Sequence, residues 1–191
     1  QSGKVGFTVT YCQDQMGENA LVYRLARIEI EVSDHQGGAH GGYLVRVYNG
    51  AGGSGSQWGY AWSGANGLTT FYLVEGNYGY LVEKNGAQSG KVGFTVEYCK
   101  DQHLVYKLSK ITITVQSSGG SGLSGYLVRV YNDTNEQWGY QWTNASGVTT
   151  FYLVEGGYKY KVEKNSYSAW GDDSPFTVSY DTDQALTHTV S

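Results

Sequence analysis

The sequence predicts an all-β protein: antiparallel seven-stranded β-sandwiches repeated in tandem and arranged as a rod. Three observations predict this. Short segments rich in β-branched and aromatic residues alternate with period two along all 191 residues, as half-buried strands do. The segments are separated by turns drawn from 28 glycines and a single proline, and none carries a convincing helical period. Finally, the segments recur. "GGYLVRVYN" at 41–49 returns as "SGYLVRVYN" at 124–132, "QWGYAW" at 57–62 as "QWGYQW" at 137–142, and "TTFYLVEGNYGYLVEKN" at 69–85 as "TTFYLVEGGYKYKVEKN" at 149–165. The offset between these copies is 80 to 83 residues, and it is 87 for "KVGFTV" at 4–9 and 91–96, drifting with loop length.

Parity along each strand assigns its faces. In the first repeat the inward set is Ile28, Ile30 and Val32, then Tyr43, Val45 and Val47, then Trp58, Tyr60 and Trp62. It continues with Phe71 and Leu73, with Tyr78, Tyr80 and Val82, with Phe94, Val96 and Tyr98, and with Leu104, Tyr106 and Leu108. The alternate positions, among them Arg27, Glu29, Glu31, Thr95, Glu97, Cys99, Val105 and Lys107, face outward. The second repeat agrees, with Tyr158, Tyr160 and Val162 inward against Lys159, Lys161 and Glu163.

Domain boundaries follow from "LVYKLSKITITV" at 104–115 and "LVYRLARIEIEV" at 21–32, where a last strand runs into a first strand with almost nothing between. Boundaries after Leu25 and Leu108 make residues 26–108 and 109–191 complete units. Residues 1–25 are then the last two strands of a preceding unit, and the chain reads as cut from a longer array or as completed by a neighbouring chain. A junction this short is no flexible tether, so successive units are expected to be held stiffly.

Composition limits the function classes. Charged residues are 16%, below the ~25% of an average globular domain, and a net charge of −4 offers no basic patch for nucleic acid. The apolar runs fall far short of the ~20 residues of a membrane-spanning helix. A surface of Gly, Ser, Thr, Asn and Tyr fits an extracellular or cell-surface protein. No nucleophile elbow, phosphate loop or paired acid and base is present, so no enzyme activity and no cofactor is expected.

At "NGLTTFYLVEGNYGYLVEKNG" the sequence resembles the prealbumin-like sandwich repeats of bacterial surface proteins, the collagen-adhesin B-type and carboxypeptidase-regulatory-like domains. The matching positions are Gly67, Thr69 or Thr70, Phe71, Leu73, Gly76 and Tyr78, and again Gly147, Phe151, Leu153, Gly156 and Tyr158. The resemblance implies an Ig-like or prealbumin-like sandwich serving as a stalk, spacer or filament part. The adhesin branch often carries a Lys–Asn cross-link assisted by a buried acid, and Glu83 and Glu163 fall near that acid's place. Both point outward by parity, the first strands lack an inward Lys and the last strands lack an Asn, so no such cross-link is expected.

The candidate sites are few. Trp58, Tyr60 and Trp62, with Trp138, Tyr140 and Trp142, are read as core, since Gly59 and Ala61 make a poor inward face; the alternative is a stacking platform for sugar rings. Leu44, Tyr48, Tyr72 and Val74, recurring as Leu127, Tyr131, Tyr152 and Val154, form an outward apolar set suited to lateral contact. Cys12 and Cys99 are outward at equivalent places, with Asp181 in the third copy, and are candidates for an intermolecular disulfide rather than for pairing with each other. Asn132 and Asn144 begin glycosylation sequons in loops. His35, His40, His103 and His188 do not recur, and no metal site is assigned to them or to the aspartates at 172, 173, 181 and 183. The expected function is a structural segment of a secreted or surface stalk, adhesin or filament, with further repeats or neighbouring chains as partners. The runner-up is a carbohydrate-binding or adhesive module with polysaccharide as partner.

Overall fold

The computed structural model describes residues 25–191, and the sequence expectations for residues 1–24, Cys12 among them, lie outside it. The described chain is all-β. Its strands are β1 (Ala26–Asp34), β2 (Leu44–Asn49), β3 (Gln57–Trp62), β4 (Leu68–Leu73), β5 (Gly76–Lys84), β6 (Ala87–Gln88), β7 (Val92–Val96) and β8 (Gln102–Ser117). They continue as β9 (Leu127–Asn132), β10 (Gln137–Trp142), β11 (Val148–Leu153), β12 (Gly156–Lys164), β13 (Tyr167–Trp170), β14 (Phe176–Val178) and β15 (Gln184–Val190).

Pairing is nearly the same in residues 26–108 and 109–191, and it corrects the expectation of wholly antiparallel sandwiches, since β1 with β8 and β8 with β15 pair in parallel. β1 lies between β4, antiparallel from Ala26↔Leu73, and the first part of β8, parallel from Ile28↔Gln102 to Asp34↔Leu108. The second part of β8 lies between β11, antiparallel from Ser109↔Leu153, and β15, parallel from Gln184↔Ile111 to Val190↔Ser117. The facing sheets run β3-β2-β5 and β10-β9-β12, with β6 and β7 sharing the far edge of β5, and β13 and β14 that of β12. One 16-residue strand therefore pairs through residues 102–108 with β1 and through residues 109–117 with β11 and β15.

The inward rows meet in a hydrophobic cluster. Ile28, Ile30, Val32 and Leu73 lie opposite Val45, Val47, Tyr80 and Val82, all at most 2% exposed. Ile111, Ile113 and Leu153 likewise lie opposite Val128, Val130, Tyr160 and Val162, all fully buried. The burial follows the alternation because successive side chains of a strand point to opposite faces. The motif glycines serve the turns before β4 and β11: Gly67 and Gly147 sit at φ +74° and +77°, and a Cβ there would stand 2.5 and 2.4 Å from the carbonyl oxygens of Val32 and Val115. Their own carbonyls accept from the N–H groups of those same valines, so the turn and the first strand are tied together. A recurring carboxylate fixes each first strand from the other side: Asp101 Oδ1 accepts from the Arg27 N–H, and Asp183 Oδ1 from the Lys110 N–H, both at 2.9 Å.

β3 and β10 break the expected parity. Trp58, Tyr60 and Trp62 are 46, 62 and 62% exposed, and Tyr140 and Trp142 are 58 and 59% exposed. The core assignment made from sequence is corrected for these five. The strand presents Gly59 and Ala61 inward instead, opposite Val47 and Val45. β3 and β10 are edge strands, each with an irregular register beside its tryptophan. The bulky Tyr80, Tyr78 and Phe71 fill the interior, so small residues suffice there.

Candidate interaction surfaces

Two kinds of surface recur. The first is the outer face of β3-β2-β5 and of β10-β9-β12. Arg46 Nε donates to Glu83 Oε2 at 2.9 Å and Nη1 to Gln57 Oε1 at 3.2 Å, and the guanidinium lies 6.0 Å from the Tyr60 ring centroid. Arg129 repeats this with Glu163 at 2.8 Å, Gln137 at 3.0 Å and Tyr140 at 5.7 Å. The Arg129 guanidinium, with Lys161 beside it, holds the Glu163 carboxyl below its ordinary value. Both glutamates are thus outward and ion-paired, as parity requires. Trp62 stands across from Leu44, and Trp142 across from Leu127, which leaves each leucine under 10% exposed.

The second surface is the junction along β8. Lys84 Nζ lies 4.2 Å from the Tyr43 ring centroid and 5.5 Å from that of Trp138, so one ammonium sits between an aromatic ring of each repeat. Burial holds that ammonium below its ordinary pKa. Asn85 Nδ2 donates to the Trp138 carbonyl at 2.5 Å, and Tyr43 Oη donates to the Tyr152 carbonyl at 2.8 Å. The His40 and Tyr152 rings are 4.3 Å apart, the Tyr106 and Tyr180 rings 5.2 Å, and the Gly90 N–H donates to Glu155. His35 Nδ1 stands 2.9 Å from Asp181 Oδ1. Trp138 is consequently 8% exposed.

The outward apolar set divides between these surfaces. Leu44 and Leu127 are buried under the tryptophans rather than presented, which corrects their place in a contact face. Tyr48 and Tyr131 are half-buried, against Lys91 Nζ at 3.8 Å and Trp170 at 5.5 Å. Tyr152 and Val154 are taken up by the junction, Val154 fully buried, whereas Tyr72 is 49% exposed. These two pairs belong to the end of a repeat, not to its flank. Parity told outward from inward but not flank from end.

Asn132 ends β9 and is 1% exposed, its amide directed at the Asn85 carbonyl (3.4 Å) and the Glu136 carboxylate (3.2 Å). A glycan has no room there, and the reading of Asn132 as a loop acceptor is corrected. Asn144 is exposed in a turn, its Oδ1 accepting from the Ser146 and Val148 N–H groups. Cys99 is half-buried at φ +55°, and Asp181 takes the same left-handed backbone at φ +50°.

An acid–imidazole–hydroxyl chain does occur. His188, 2% exposed, has Nε2 at 2.8 Å from Tyr167 Oη and Nδ1 at 3.0 Å from Asp172 Oδ1, the latter outside hydrogen-bond alignment. Burial and the Asp172 charge raise the Tyr167 pKa, the opposite of what activates a nucleophile. Among the described residues no three His, Cys, Asp or Glu side chains are grouped to hold a metal ion.

No family model and no curated protein matches the chain. Among solved structures it is similar to the Bacillus anthracis TIE protein, at 16% identity over 87% of this chain and 33% of that one, TM-score 0.38. A streptococcal ancillary pilin matches at 10% identity over 92% of this chain and 68% of that one, TM-score 0.35. BcpA, the major pilin subunit of Bacillus cereus, matches at 7% identity over 87% of this chain and 99% of that one, TM-score 0.38. The chain spans about a third of the TIE protein's length. At such identities and TM-scores the likeness says nothing of family or role.

Proposed function

We propose that the chain is a structural segment of an extracellular or cell-surface filament or stalk, built from tandem seven-stranded sandwiches at 26–108 and 109–191. The observation that carries the reading is β8, which runs through 16 residues from one repeat into the next. At ~3.3 Å per residue it spans about 50 Å without a hinge. A continuous strand, paired with β1 over its first half and with β11 and β15 over its second, transmits tension along its length and resists bending at the boundary. Small-angle scattering tests this. A compact 191-residue chain has a radius of gyration near ~16 Å, and a rod of two units ~30–40 Å long has one above ~20 Å. A value near the compact figure sinks the reading.

A carbohydrate-binding or adhesive role is the second reading, favoured by the exposure of Tyr60, Trp62, Tyr140 and Trp142 on the outer faces. Aromatic rings set beside an Arg–Glu pair suit the apolar face and hydroxyls of a sugar. Under this reading Trp62→Ala with Trp142→Ala leaves the melting temperature within a few degrees and removes retention on insoluble polysaccharide. Absence of any retention by the parent chain dismisses it.

A further inference from the structure

The junction inside the chain is a template for a junction the chain makes with others. Five residues on the second repeat's side have a like counterpart in the first: Trp58 for Trp138, Tyr72 for Tyr152, Val74 for Val154, Glu75 for Glu155 and Tyr98 for Tyr180; Asp181, which meets His35, has Cys99 in its place. Trp138, Tyr152, Val154 and Glu155 are covered more than their first-repeat counterparts, whereas Tyr180 is itself 42% exposed, little less than Tyr98. Trp58 is 46% exposed against 8% for Trp138, and Val74 is half-buried against full burial of Val154. Tyr72 is 49% exposed.

The complementary half stands at the far end of the second repeat. Lys164 Nζ lies 4.6 Å from the Tyr126 ring centroid, as Lys84 lies 4.2 Å from that of Tyr43. Asn165 takes φ +52° where Asn85 takes +48°, so the amide that grips the Trp138 carbonyl is set up in the same way. A cavity of about 340 Å³ is lined by Lys164 and Asn165, the counterparts of the two residues that hold Trp138. The Trp58 face and the Lys164–Asn165 face therefore carry counterparts of the two sides of the Trp138 contact.

We propose that the Trp58 end of one molecule docks on the Lys164–Tyr126 end of a second molecule of this chain, reproducing the Trp138 junction between molecules. The inference rests on the filament reading above and names its contact. Different patches meet, so the contact is heterologous and does not close, and growth is open-ended. Part of the template is altered in the second repeat. His188 stands where Tyr106 does, and Asp172 and Asp173 accept from the Thr189 and Thr187 N–H groups at 2.7 and 2.9 Å, closing the β15 edge within its own repeat. The docking is thus carried by Trp58, Lys164, Tyr126 and Asn165 rather than by the Tyr98 side.

Sedimentation velocity of the full chain from about 1 µM to about 1 mM tests the proposal, with Trp58→Ala and Lys164→Glu as variants. The parent is expected to grow with concentration beyond a dimer, and each variant alone to stay monomeric over the range. An equimolar mixture of the two is decisive: W58A keeps an intact tail and K164E an intact head, so the mixture forms a dimer that grows no further. Folding is checked by melting, and K164E removes only a surface contact to the Ser124 carbonyl and the Tyr126 ring. A parent that stays monomeric, variants that still associate, or a mixture that does not pair each overturns the proposal. A monomer that scatters as a rod overturns this contact and leaves the filament reading standing.

Discussion

Trp138→Ala and Trp58→Ala delete the same side chain from the same place in two repeats, and the structure says the losses differ. Trp138 is 8% exposed and Trp58 46%. Applied to a side chain that buries up to ~250 Å², the difference is on the order of 90 Å², or ~2 kcal/mol at ~25 cal/mol per Å². Trp138 also loses the Lys84 ammonium, 5.5 Å from its ring centroid, a contact of ~0.5–2 kcal/mol. Trp138→Ala is therefore expected to cost ~3–5 kcal/mol and Trp58→Ala ~2 kcal/mol less. For a chain of this length the gap corresponds to roughly 4–8 °C in melting temperature. Denaturant and thermal unfolding of both variants, at micromolar concentration where molecules are kept apart, measure it. Adding Lys84→Ala to each background sharpens the test. The pair with Trp138 should be non-additive by ~0.5 kcal/mol or more, and the pair with Trp58 additive. Equal losses for the two tryptophans, or an additive Lys84–Trp138 cycle, would refute the reasoning.

Two further outcomes follow from local geometry. Gly147→Ala forces a Cβ to 2.4 Å from the Val115 carbonyl oxygen at φ +77° and should destabilise by more than ~1 kcal/mol; a melting temperature equal to the parent's argues against the turn described. Asp34 is nearly buried, and although burial raises its pKa, hydrogen bonds from the Gly38 and Gln36 N–H groups and from His40 outweigh it and hold the pKa below the ordinary value. Its stabilisation is therefore present above about pH 4 and lost as pH falls through the depressed value. Melting temperature should decline on acidification below pH 4, and Asp34→Asn should flatten that decline, whereas an unchanged slope would remove Asp34 from the account.

Alternation by itself determined that the chain is all-β and which rows of β1, β2, β4 and β5 are buried, because a strand has two faces and Ile28, Val45, Leu73 and Val82 must take the dry one. The letters at 104–115 also read as one strand running into another, and β8 is continuous over Gln102–Ser117. What parity cannot see is how much volume a core needs. In β3 it chose the large residues as core, but the neighbouring tyrosines already fill the space, so Gly59 and Ala61 face in and Tyr60 and Trp62 face out. Nor can a period of two tell a flank from an end. Trp58 and Trp138 are the same letter in the same frame, one half-open and one covered, because what covers Trp138 is Lys84 of the neighbouring repeat. That contact joins residues 54 positions apart, and it exists only once the continuous strand has set one sandwich against the other.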